Sequence, residues 1–136
     1  MWLHAARLLA LPRFFSDTIC CVLLISIIGL GITYCVARLV SQSGYAYKKV
    51  YWIYETAHFA GGVFLAMFFA NFFTNPWQII CFTIAVGFAW EVAEYLVSSR
   101  PRLRKILQVN HVTLPDTLLD LCLDALGAIV FVFFIP

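Results

Sequence analysis

Four apolar runs separated by short polar breaks organise the chain. Residues 18–40, 50–73, 77–97 and 114–135 are each long enough, as helices, to cross a bilayer. A hydrocarbon core of ~30 Å takes about 20 helical residues. Asn75-Pro76 is a tight break between the second and third runs, and so short a link makes its flanking helices antiparallel neighbours. Residues 41–49 form the first loop and residues 98–111 the third. Residues 1–17 are apolar but interrupted by Pro12, with Trp2, Phe14 and Phe15 suited to anchoring a short helix in the membrane interface. No small-residue cleavage motif follows an adequate apolar core, so no signal peptide is expected. The pattern predicts an all-α membrane protein: one domain over 1–136, a four-transmembrane-helix bundle with a short N-terminal interfacial helix.

The polar positions inside the runs are periodic. Ser26, Gly29, Thr33 and Ala37 form a small-residue stripe in the first, which reads as a helix-packing face. Tyr51, Glu55, His58 and Gly61 share a face in the second, and Thr83, Gly87, Glu91, Glu94 and Ser98 in the third. In the fourth, Asp116, Asp120 and Asp124 recur every fourth residue, close to one face of a helix. Asp116 falls in the first turn, where a carboxylate complements the helix dipole. Thr113 to Asp116 has the spacing of a capping box, with Pro115 in the first turn.

Composition agrees with a membrane location. Of 136 residues, 63% are hydrophobic and 12% charged, against about 25% charged in a typical soluble domain. Mean hydropathy is +0.92. A net charge of +2 without a basic, aromatic-interleaved surface gives no reason to expect nucleic acid as a partner. Cys20, Cys21, Cys35, Cys81 and Cys122 lie in the apolar runs without metal-ligand spacing and read as small buried hydrophobes. Arg38, Lys48, Lys49, Arg100, Arg102, Arg104 and Lys105 fall on the side of the first and third loops, and only Arg7 and Arg13 on the other. The positive-inside rule then puts those loops in the cytoplasm and both termini outside.

Six of the seven acids fall within the spans: Glu55, Glu91, Glu94, Asp116, Asp120 and Asp124. At ~1.5 Å of rise per residue, His58, Glu91 and Asp120 each lie roughly 9–12 Å from the loop-rich end of their helices. Three separate helices thus bring ionisable groups to one depth. Buried acids in hydrocarbon cost about 2.5–3.5 kcal/mol each on insertion scales. Shared protons, a bound cation or a water-filled cavity would each relieve that cost.

His58, Glu91, Glu94, Asp120 and Asp124 are therefore candidate ligands of a divalent metal cation whose identity is open, with Glu55 and Asp116 as secondary candidates. Glu55 and His58 form one E-x-x-H unit, the ligand chemistry of carboxylate metal bundles, although such bundles use two. Arg100, Arg102, Arg104 and Lys105 are suited to a lipid headgroup. An intramembrane site binding or transforming an amphiphilic ligand, an ion- or proton-linked transport or accessory protein, and a purely structural bundle all remain open. Membrane lipids and a second copy of the chain are the expected partners. No catalytic nucleophile, H-E-x-x-H, G-x-S-x-G or phosphate-cradling glycine loop is visible. The D-x3-D of the last run lacks the upstream D-G-x-x-A-R of cytidyl-alcohol phosphotransferases.

Two groups of small bacterial membrane proteins resemble residues 50–130. His58, Glu91 or Glu94, and Asp120-x3-Asp124-x2-Gly127 are similar to the VanZ-like pattern. Asp replaces its Asn at 124, and its Asp-Lys ahead of the histidine is missing. His58-Phe59, Trp90-Glu91-x-x-Glu94, and Asp120 with Gly127-Ala128 resemble the YjdF-like group more closely. The resemblance implies a bacterial inner-membrane location and a site at these residues, but no particular reaction.

Overall fold

The computed structural model describes residues 13–42, 47–107 and 113–135. They form five helices and no strand: α1 (Arg13–Gln42), α2 (Tyr47–Phe69), α3 (Pro76–Ser98), α4 (Pro101–Leu107) and α5 (Leu114–Phe134). The expected interfacial helix lies largely outside the described residues. Its last part does not stand apart: Arg13 to Asp17 are the opening turns of α1.

Local chemistry sets the helix ends. The Asn71 side chain donates to the carbonyls of Met67 (2.9 Å) and Phe68 (3.0 Å), which closes α2 four residues earlier than the apolar run suggests. Asn75 caps α3, its side chain accepting from the Trp77 N–H at 2.9 Å, and Pro76 sits in the first turn, where its missing N–H does no harm. Thr113 is the N-cap of α5, but its hydroxyl makes no cap hydrogen bond, so the expected capping box is not formed from that side. The third connection is not all loop, since α4 occupies part of it.

Among the described residues, three helical segments are long and apolar enough to cross a membrane: Cys20–Gln42, Pro76–Ser98 and Leu114–Phe134. Helix α2 has 23 residues, comparable in length, but Lys48, Lys49, Glu55 and His58 dilute its apolar character. It is the central element of the packing, in contact with α1, α3 and α5, while α5 also packs on α3 and α4 rests on α3 alone.

Glycines allow the closest approaches. A Cβ on Gly29 would run into the Phe64 ring, one on Gly62 into the Asp124 backbone, and one on Gly127 into the Phe59 carbonyl. The α1 stripe therefore packs as expected, with Ser26 fully buried. Ser26, Thr33 and Thr83 each return their hydroxyl to a carbonyl of their own helix, at 2.7, 2.8 and 2.9 Å, which satisfies them without water. Tyr34 and Trp90 meet edge to face at 6.1 Å, linking α1 to α3.

The interior divides lengthwise. At one end Ala66, Ile79, Ile80 and Ala128 form the buried apolar core, flanked by Phe69, Phe73 and Phe131. Phe73 stacks on Phe82 there, and Trp77 meets Phe133 edge-on. At the other end the buried residues are Glu55, Glu91, Ser98, Asp120 and Asp124. The outer surface carries Leu24, Ile28, Ile32, Leu39, Phe88, Leu96 and Phe133, all about half exposed or more. An exterior more apolar than the interior suits hydrocarbon as the surrounding solvent. The five cysteines are also exposed rather than buried. A small apolar side chain gains nothing from hiding inside the bundle when lipid is as apolar as the core.

Candidate functional site

Parallel packing of α2 on α5 and antiparallel packing of both on α3 bring three polar faces together. On α5 the buried face runs through Asp120, Asp124, Gly127 and Ala128. Steps of four residues overshoot a helical turn, so the aspartate ladder drifts round the helix. Asp116 is only half-buried, whereas Asp120 and Asp124 are 7% and 4% exposed. Thr117 lies on that inner face, its hydroxyl within reach of Glu91. Sequence reasoning missed it; alternating steps of three and four (117, 120, 124, 127) would have found it.

His58 lies between the two aspartates. Its Nε2 is 3.7 Å from Asp120 Oδ2, and its Nδ1 is 3.7 Å from Asp124 Oδ1. Both distances exceed a hydrogen bond. Glu91 approaches from α3, and one ligand atom each from His58, Glu91 and Asp120 lie within 4.8 Å of one another. Glu91 is 3% exposed, and its Oε1 has no hydrogen-bond partner. Two atoms each ~2.1 Å from one cation at a tetrahedral angle stand about 3.4 Å apart. The gap between His58 Nε2 and Asp120 Oδ2 is thus close to cation size, and Glu91 brings a carboxylate oxygen within 4.8 Å of both residues. A nitrogen and two carboxylates suit a divalent ion such as zinc, manganese or iron.

Asp124 stands outside that group, on the other nitrogen of the imidazole. It is held from three sides: its backbone rests on Gly62, its carboxylate fills the space beside Gly87, and its Oδ1 reaches toward Gly61. A carboxylate behind a histidine fixes the ring and its tautomer.

The remaining candidates spread outward. Glu94 is half-buried and bears electrostatically on His58 and Glu91 without joining the ligand group. Glu55 is 5% exposed and lies deeper than its secondary standing in the sequence implied. Arg100 precedes α4, and Arg102 and Lys105 lie on it; Arg100, Arg102 and Lys105 are exposed. Arg104 also belongs to α4, but its side chain is outside the described set, as are His4 and His111.

An all-helical molecule with an apolar exterior and a buried polar cluster is a membrane protein, in contact with lipid. The chain belongs to the family described as "Predicted membrane protein (DUF2238)", whose model matches residues 1–135. No curated protein and no solved structure matches it.

Proposed function

We propose that the chain is a four-span membrane protein holding a divalent cation between His58 Nε2, Glu91 and Asp120, and presenting it to the phosphate of an amphiphilic ligand such as a lipid headgroup. The observation that carries this reading is the trio itself: one ligand atom each from His58, Glu91 and Asp120 lie within 4.8 Å of one another, with 3.7 Å between His58 and Asp120 and an unpartnered buried oxygen on Glu91. Asp124 orients His58, and Glu94 adds negative charge at the rim. Helix α2 is the fourth span: its polar groups turn inward onto α5 and α3, and its 23 residues cover ~34 Å. Arg100, Arg102, Arg104 and Lys105 would draw an anionic headgroup to the same end. The cation would act as a Lewis acid on a phosphoryl oxygen. The VanZ-like and YjdF-like resemblance supports the site residues and a bacterial inner membrane, and the charge distribution supports termini outside the cytoplasm.

Elemental analysis of detergent-purified protein tests the reading. At least one equivalent of divalent metal is expected, lost in both His58→Ala and Asp120→Asn. No metal at saturating concentration would overturn it. The placement of His58 between two carboxylates favours one other reading, proton-linked transport through an Asp120–His58–Asp124 relay. That reading expects proton flux in vesicles without metal dependence.

A further inference from the structure

Glu55, like Asp124, is a buried carboxylate that the ligand group leaves out. It stands one helical turn before His58 on α2 and is 5% exposed. Tyr51 stands one turn before it on the same helix, and the Glu55 Oε2 has no hydrogen-bond partner. Its charge acts on Asp120, as do those of Glu91 and Asp116.

Four carboxylates are buried together, Glu55, Glu91, Asp120 and Asp124, and no lysine or arginine is buried with them among the described residues. One divalent cation would offset Glu91 and Asp120. Asp124 has the imidazole edge of His58 in front of it. Among the described residues, Glu55 is left with an oxygen that has no hydrogen-bond partner and with no buried cationic side chain, an arrangement that is costly in a low-dielectric interior.

We propose that Glu55 holds a second divalent cation beside the first, with Asp120 shared between them. This rests on the metal reading of the His58 site and extends it to a two-cation centre. With one terminal and one bridging carboxylate, the second ion is a hard, hydrated one of the magnesium or manganese type. Such ions are commonly bound through one or two carboxylates, completing their shell with water and ligand phosphate. Two cations about 3.5–4 Å apart would clamp a phosphoryl group from both sides.

Manganese titration of the full chain in detergent, followed by electron paramagnetic resonance, tests the proposal. The expected result is two Mn²⁺ per chain with an exchange-coupled spectrum. Glu55→Gln should bind one, with an uncoupled six-line spectrum, and Glu55→Asp should recover part of the second site. A wild-type stoichiometry of one overturns the second site and leaves the first standing. Two ions retained in Glu55→Gln also overturn it. A stoichiometry of zero overturns both readings. The wild-type count decides even if the glutamine variant does not purify.

Discussion

The backbone of Asp124 occupies the space where a side chain on Gly62 would begin. Helices α2 and α5 are therefore pinned together at the residue that also backs His58. Gly62→Ala should push the two helices apart and destabilise the fold by about 1–3 kcal/mol, the usual range for overpacking. Gly31 is the control: a Cβ placed on it would meet nothing within 4 Å. Gly31→Ala should leave the melting temperature unchanged or raise it, since alanine is the better helix former by about 1 kcal/mol. Thermal unfolding of both variants in the same detergent checks the contrast.

His58 separates two roles for the aspartates. Asp120 faces Nε2 and Asp124 faces Nδ1, each at 3.7 Å. Asp124→Asn should keep the metal stoichiometry but weaken affinity about 10–100-fold, as for other carboxylates that orient a ligating histidine. Asp120→Asn should lose the ion bound at His58. Competition titration against a chelator of known affinity distinguishes these outcomes.

Glu91 should change the sign of its contribution with metal. In metal-free protein its Oε1 is buried without a partner, a penalty of about 1–3 kcal/mol or more for a charged group. Glu91→Gln should then raise the melting temperature of the chelator-treated protein at neutral pH. With saturating metal it should lower it, because a ligand has been removed. Unfolding curves with and without chelator give both signs.

The exposed cysteines offer a test of lipid contact. Cys35, Cys81 and Cys122 lie on the outer surface of α1, α3 and α5. In intact vesicles Cys81 and Cys122 should react with an apolar maleimide and resist a charged thiosulfonate. Their replacement by alanine should alter stability by no more than about 0.5 kcal/mol.

The long helices were legible because hydrocarbon imposes length and apolarity together. Residues 77–97 and 114–135 match α3 and α5 to within a residue or so at each end. That His58, Glu91 and Asp120 come together was legible because they count to a similar depth from the same end. What counting cannot supply is rotation about each helix axis. That rotation separates half-buried Asp116 from Asp120, places Asp124 behind the histidine, and turns Thr117 and Glu55 inward. It depends on where glycines let helices touch, and Gly62, Gly87 and Gly127 meet their partners only across helices. The cysteines depart from expectation for a different reason. In water-soluble proteins a cysteine escapes solvent by burial, whereas here the exterior is itself apolar.

The lengthwise division of the interior makes the molecule directional. Ala66, Ile79, Ile80 and Ala128, flanked by Phe69, Phe73 and Phe131, close one end with apolar side chains, while the carboxylates gather toward the other. The two leaflets are therefore not equivalent to the molecule: one surrounds its buried carboxylates, the other its apolar core, and reversing its insertion would exchange them.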